Sequence, residues 1–311
     1  MTDGKDNTVN KITKFFVVGL TAAILLSGCF FRTGSSDTAT QDESDYGSIK
    51  TVESPAGFTG NTGDVVIESG DTYAVITIQD FGEITVKLFP EAAPEGVQIF
   101  TDLANSGYYN NTEIHRVIPD YMFQGGSQSG DGTLVEGDLT FDVEYNTNMR
   151  SYYGALCFDS ANTVNNSQFF IVNKKSYTPM SESFERELNE LLENIDEEIS
   201  LCREALAAAV KEEDKAQFQY EIEIYTAWRN LAASDLRAYQ EMTGEMETKY
   251  REVGGYPGFD GEVTIFGQTV DGFDVIDAIS AVEVEELPTY NNELSHPIQP
   301  IIIQSVEIFT A

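Results

Sequence analysis

A chain of 311 residues with 41% hydrophobic, 11% aromatic and 23% charged side chains has the composition of one or two folded domains and lies outside the collagen-like and disordered ranges. Its 52 Asp and Glu against 18 Lys and Arg give a net charge of -34, which repels a phosphate backbone and an anionic membrane surface alike and argues against nucleic-acid binding. The two histidines, His115 and His296, lie far apart with no Cys/His cluster around them, so a zinc site of the usual spacing has no ligand set.

The chain opens with Lys5, Lys11 and Lys14 ahead of an apolar run from Phe15 to Leu26, shorter than the ~20 residues a helix needs to cross a bilayer. This predicts a signal peptide over 1–28. Its end, Leu26-Ser27-Gly28-Cys29, resembles the bacterial lipobox, in which the cysteine is diacylated and becomes the new N-terminus after cleavage. The expected location is therefore extracytoplasmic, with Cys29 as the lipid anchor to the cell membrane. Residues 29–65 are mostly Ser, Thr, Gly, Asp and Gln, a composition that buries too little surface to offset ordering, and predict a flexible tether.

From residue 66 the pattern turns β-rich. Tyr73–Gln79 and Ile84–Phe89, separated by Asp80-Phe81-Gly82-Glu83, predict a hairpin. Pro94, then Val97, Phe100, Leu103 and Ala104 at helical spacing, then Asn105-Ser106-Gly107, predict one short amphipathic helix. Short apolar runs follow at 114–118, 154–158, 168–172, 263–266 and 301–308, and many short strands with few helices point to a mainly β barrel or sandwich. Cys157 falls in one of these runs and Cys202 in a helical pattern; two buried free thiols is the favoured reading.

Between 181 and 253 the period changes to that of helices. Phe184, Leu188, Leu191, Ile195, Ile199, Cys202, Leu206 and Val210 form one apolar stripe, and Phe218 through Tyr250 continue it after a break at Lys211-Glu212-Glu213-Asp214. This predicts an antiparallel pair of long helices ending at Gly254-Gly255. The barrel pattern then resumes over 254–311.

The chemistry-bearing stretch is Ile114-His115-Arg116-Val117-Ile118-Pro119-Asp120-Tyr121-Met122-Phe123-Gln124-Gly125-Gly126, where strand alternation allows Arg116, Met122 and Gln124 to share one face. Asn165-Asn166-Ser167-Gln168-Phe169-Phe170-Ile171 and Phe259-Asp260-Gly261 through Phe266-Gly267 follow. In kind and order these segments resemble the His-Arg-Val-Ile-Pro, Met-x-Gln-Gly-Gly, Ser-Gln-Phe-Phe-Ile and Asp-Gly…Phe-Gly signatures of cyclophilin-type peptidyl-prolyl isomerases, in the form of a bacterial lipoprotein with a helical insertion. The likeness covers about Thr72 to Lys175 and Tyr256 to Ile308.

The resemblance implies an eight-stranded antiparallel β-barrel with two capping helices, the second at Asp271–Ala281, an outer-surface groove for proline-containing polypeptides, and the helical hairpin projecting near its entrance. It implies catalysis by Arg116 with Gln124, and substrate binding by Tyr121, Met122, Phe170, Phe259, Gln168 and either Ser160 or Asn162, without metal or cofactor. Phe123 and Phe169 are expected in the barrel core, and His115 on the side opposite Arg116 in a structural role. The rim departs from the family pattern. Pro257-Gly258 stands where an aromatic is common, with Tyr256 nearby, and Val263 stands where His or Tyr is common. Altered cyclosporin binding and altered preference for the residue before proline are the expected consequences. The function implied is isomerisation of X-Pro bonds that assists folding of extracytoplasmic proteins. The alternative is a catalytically weak, peptide-binding scaffold that uses groove and helices 181–253 to dock an envelope protein or to self-associate.

Overall fold

The computed structural model describes residues 48–62, 65–135, 139–161, 164–179, 181–290 and 293–311. Cys29 and Asn162, two expected functional positions, lie outside them, as does the expected signal peptide. Eight antiparallel strands close a barrel: β2 (Thr72–Ile78), β3 (Gly82–Leu88), β4 (Thr112–Ile118), β5 (Met122–Ser127), β7 (Ala155–Ala161), β8 (Val164–Val172), β9 (Ile265–Asp271) and β12 (Ile302–Thr310). Around the ring the order is β8-β5-β4-β12-β2-β3-β9-β7, and β7 pairs back to β8. Closure removes the open edges that a sheet of this length would otherwise expose.

Alternation sets which residues fill the barrel. In β2, Ala74, Ile76 and Ile78 are buried while Tyr73, Val75 and Thr77 are only partly so, and β3 repeats this with Ile84, Val86 and Leu88. Helix α1 (Pro94–Asn105) contributes Val97, Phe100 and Ala104 to the same core, and α5 (Phe273–Ser280) contributes Val275, Ile276 and Ile279. Helix α1 carries Pro at its start and no side-chain cap of its own. The buried Glu144 substitutes, accepting from the backbone N–H of Gly96 (2.8 Å) and Glu95 (3.3 Å), where a carboxylate meets the positive helix end. Helix α5 starts later than expected because Gly272, at φ 87°, sets its N-terminal boundary, and it ends at Ser280 with Ala281 as its C-cap; a Cβ at Gly272 would meet the Glu83 carbonyl oxygen at 2.2 Å.

Three features differ from the sequence expectation. The tether predicted through residue 65 is packed on the barrel over part of its length. Strand β1 (Ile49–Thr51) pairs in parallel with β6 (Phe141–Tyr145), and buried Asn61 donates to the Arg150 carbonyl (2.7 Å) and to Gln268 (3.0 Å). Phe58 also packs on the barrel, its ring 6.2 Å from that of Phe89, and the polar composition around it hid this seating. The two long helices are α2 (Glu182–Ala208) and α3 (Glu212–Glu241), with the break at residues 209–211 rather than 211–214. Glu212, Glu213 and Asp214 form the first turn of α3, where acidic side chains oppose the helix dipole favourably. The second helix does not run on to Tyr250. It stops at Glu241, and Thr243, accepting from Met246 N–H at 3.2 Å, caps a separate helix α4 (Gly244–Val253). No helix among the described residues is long and apolar enough to cross a membrane. Cys157 and Cys202 are both buried, and neither is in a disulfide.

Candidate active site

The site is built by register. In the β4–β5 pair Arg116 lies opposite Gln124 and Ile118 opposite Met122, and in the β5–β8 pair Gln124 lies opposite Phe170. Side chains of alternate parity, Phe123, Phe169 and Ile171, enter the barrel core as expected. The β4–β5 turn is tight, with Asp120 left-handed at φ 55°. Asn173 braces it: its Oδ1 accepts from Tyr121 N–H (2.6 Å) and its Nδ2 donates to the Ile118 carbonyl (3.2 Å), fixing where Tyr121 and Met122 leave the strand.

A polar row and an aromatic cluster result. The Arg116 guanidinium donates to Gln124 Oε1 (3.3 Å), Gln124 Nε2 donates to Gln168 Oε1 (3.1 Å), and Gln168 Nε2 donates to the Gly132 carbonyl (2.9 Å). Tyr121, Met122, Phe170 and Phe259 share one apolar cluster with Val263 and Tyr256. Ring centroids lie 5.2 Å apart for Tyr121–Phe259, 5.0 Å for Phe170–Phe259 and 5.0 Å for Tyr121–Tyr256. Thus Arg116, Gln124, Gln168, Tyr121, Met122, Phe170 and Phe259 are brought together. Ser160 is not among them by any bond of its hydroxyl, which turns to the Glu262 carbonyl oxygen at 3.5 Å.

Four further residues act on this site that the sequence pattern did not mark for it. Glu293 takes the Arg116 fork in a bidentate pair, Nε to Oε1 at 2.7 Å and a terminal nitrogen to Oε2 at 2.8 Å. The Tyr290 ring lies 4.6 Å from the guanidinium carbon, and its hydroxyl accepts from Gln124 Nε2 at 3.1 Å. Consequently Arg116, Gln124 and Gln168 are each fully buried, and the open groove expected from sequence is closed by the chain's own side chains.

The third is Asp235, buried in the middle of α3, which accepts from the Tyr256 hydroxyl at 2.6 Å. The fourth is Arg237 on the same helix, which donates to the Asp260 carbonyl oxygen and pairs with Glu262 at 2.8 Å. By these bonds α3 is seated against the 3-10 turn Pro257–Phe259 that carries Phe259, so α3 lies beside the aromatic cluster.

The bulge in the β4–β5 register between Ile114 and Arg116 changes the expectation for His115. Alternation fails there, and His115 and Arg116 both lie near Tyr290, with the imidazole 6.3 Å from the tyrosine ring. Burial, and secondarily the Arg116 charge, hold the His115 pKa down to about 3, so the ring is neutral and moves no proton at neutral pH.

Burial pushes the Asp235 carboxyl up to about 6, against the opposing pull of the Tyr256 bond. Because the folded pKa lies above the unfolded value of ~3.9, the folded state holds a proton that the unfolded state releases. Asp235 stabilises fully below about pH 4, and that contribution is lost as pH rises through about 6. Asp235→Asn is therefore expected to be more stable than wild type by roughly 1–3 kcal/mol at pH 7.5 and to match it at pH 4, read from urea denaturation at the two pH values.

A sequence model of the family described as "Cyclophilin type peptidyl-prolyl cis-trans isomerase/CLD" matches residues 73–190 and 178–308. A Streptococcus pyogenes protein named "Putative bifunctional phosphatase/peptidyl-prolyl cis-trans isomerase" is 28% identical over 241 residues, covering 75% of this chain but only 38% of that protein. A Staphylococcus saprophyticus "Putative peptidyl-prolyl cis-trans isomerase" is 28% identical over 243 residues, covering 77% of this chain and 93% of the relative. Among solved structures, a Cryptosporidium parvum cyclophilin type peptidyl-prolyl cis-trans isomerase, crystallised in the presence of the dipeptide Ala-Pro, is 20% identical with a TM-score of 0.45, covering 77% of this chain and 99% of that one.

Proposed function

Since the chain belongs to the cyclophilin-type peptidyl-prolyl cis-trans isomerase family, we propose that it isomerises X-Pro bonds of extracytoplasmic proteins and thereby assists their folding. The observation that carries the reading is the register-locked row of Arg116, Gln124 and Gln168 alongside the aromatic cluster.

An X-Pro amide rotates slowly because its C–N bond is partly double, with a barrier near 20 kcal/mol. No nucleophile is needed to lower it. As the amide twists out of conjugation, the prolyl nitrogen gains a lone pair that a fixed N–H donor stabilises. Arg116 supplies that donor, and a guanidinium keeps its proton at any physiological pH. The contact strengthens only in the twisted state, so it lowers the barrier rather than tightening ground-state binding. Tyr121, Met122, Phe170 and Phe259 take the proline ring, and the Gln124 and Gln168 amides hold the peptide backbone on either side. His115 takes no part in proton transfer. The rim positions Ser160 and Asn162 are assigned to the substrate backbone on the resemblance alone.

The same reading places the enzyme outside the cytoplasm, held to the membrane by a diacylated Cys29, with α2 and α3 as a second contact surface for client or partner. The mass of the N-terminal peptide from a membrane fraction checks the anchor: a diacylglyceryl adduct on a peptide starting at Cys29 is expected, and an unmodified Cys29 would refute it. For the activity, protease-coupled isomerisation of an Ala-Pro-Phe anilide is expected to run faster with the full chain than without it. A rate equal to the uncatalysed one would leave the scaffold reading.

A further inference from the structure

We propose that the segment carrying Tyr290 and Glu293 is a built-in competitor of the substrate, occupying the groove until a peptide displaces it. The proposal rests on the isomerase reading for the identity of the groove and goes beyond it in assigning a regulatory element. Its ground is the identity of the bonds. The donors and acceptors assigned to substrate, those of Arg116 and Gln124, are engaged by Glu293 and Tyr290 at 2.7, 2.8 and 3.1 Å. The tyrosine ring covers one face of the guanidinium, the carboxylate takes two of its N–H groups and Gln124 a third, and Arg116 is left fully buried, so a prolyl nitrogen does not reach an Arg116 N–H in this arrangement.

The flanking residues seat the segment in the groove. Thr289 donates its hydroxyl proton to the Asp131 carbonyl at 2.7 Å. Gly132, with φ 83°, lies so close that a Cβ there would be 2.7 Å from the Tyr290 ring. His296 Nδ1 donates to the His115 carbonyl at 2.9 Å.

Of the elements that close the groove, this one is the most separable. Strands β4, β5 and β8 are laddered on both sides within the barrel, and moving them breaks the ring. Strands β10 (Val284–Leu287) and β11 (Glu293–Pro297), which flank the 3-10 turn Pro288–Tyr290, share a ladder only with each other among the described residues, in a separate two-stranded sheet whose β11 lies beside β4 without joining its ladder. A two-stranded ribbon is marginal alone and opens at low cost relative to a closed barrel. The Glu293 side chain also keeps 12% of its surface in solvent, so water can take over the carboxylate as the pair opens. A groove closed most of the time binds peptide with an apparent affinity lowered by the fraction of time it is open. A segment that leaves the groove only against a well-fitting peptide favours clients presenting long, complementary flanks over short ones.

The rival role for Glu293 is that of a positioning residue that aims the Arg116 fork at the substrate, and it predicts the opposite sign. The test uses the full chain with Glu293→Gln, which keeps an acceptor for the guanidinium, and separately Tyr290→Phe, which removes only the hydroxyl and keeps the ring and the fold. Two readouts are taken with the same Ala-Pro-Phe anilide peptide: kcat and KM for isomerisation, and binding followed by the Arg116 Nε–H resonance. Displacement of an internal competitor predicts a fall in KM and in the peptide dissociation constant of about fivefold or more for Glu293→Gln, a smaller fall for Tyr290→Phe, and kcat kept in both. A fall in kcat with unchanged KM and binding would overturn the proposal in favour of positioning, and unchanged binding in both variants would overturn it outright. Failure of the isomerase reading is distinguishable: no variant would then accelerate isomerisation, while tighter peptide binding by the variants would still support the internal competitor.

Discussion

Arg116→Ala is expected to lower kcat/KM for proline-peptide isomerisation by about 100-fold, which corresponds to about 2.7 kcal/mol of transition-state stabilisation. The loss follows from geometry. No other cation among the described residues lies in the polar row with Gln124 and Gln168, so nothing replaces the donor at the prolyl nitrogen. The same change strands Glu293, whose two short bonds to the guanidinium are broken, and removing one partner of a largely buried pair costs on the order of 3 kcal/mol of stability. Thermal denaturation must therefore accompany the kinetics, and Arg116→Lys separates the effects. Lysine keeps the charge against Glu293 but not the planar fork, so stability is expected to recover more than activity does. With arginine always protonated and His115 neutral above about pH 3, kcat/KM of the wild type is expected to be flat between about pH 7 and 9. A break inside that range would contradict this.

The largest loss of stability from a single core change is expected at Phe100. This α1 side chain is fully buried and touches four aromatic rings, with centroids at 5.2 Å for Tyr109, 6.4 Å for Phe158, 5.7 Å for Phe169 and 5.0 Å for Phe266. Phe100→Ala removes the ring from a site walled by strands that cannot collapse inward, so both the transfer and the cavity contributions are lost, about 4 kcal/mol together. Phe309→Ala is the matched control. That ring stacks on Tyr73 at 5.4 Å but is 40% exposed, and its loss is expected to cost about 1 kcal/mol. Urea denaturation of both variants checks the pair; equal losses would mean that α1 does not close the barrel core as described.

How far the sequence carried these conclusions depends on the range of the interactions concerned. Strand alternation from Tyr73 to Phe89 and the stripe from Phe184 to Leu206 are local signals, and the structure holds β2, β3 and α2 there. The adjacency of Arg116, Gln124 and Met122 was legible for the same reason: a period of two and a tight turn fix it. The bulged position at His115, one of two register shifts in the β4–β5 pair, was not, because it is set by how the partner strand pairs. The break at Met242 and Thr243 had a signal, a threonine at a helix N-cap followed by glycine, which the continuing apolar spacing masked. Tyr290 and Glu293 had none. They lie in a stretch without helix or strand period, and the Glu293–Arg116 bond joins positions 177 residues apart. Asp235 was visible as a carboxylate inside the apolar run Leu231-Ala232-Ala233-Ser234, but only its contact with Tyr256 tells what it does.

The central claim is that this Arg116-centred groove turns over prolyl bonds. Exchange spectroscopy on an Ala-Pro-Phe peptide with substoichiometric full-length chain measures it without a coupling protease, for the wild type, Glu293→Gln and Arg116→Ala. Faster cis–trans exchange with the wild type, faster still with Glu293→Gln, and exchange reduced towards the rate of peptide alone with Arg116→Ala is the result expected. Exchange at the rate of free peptide with both the wild type and Glu293→Gln would contradict it.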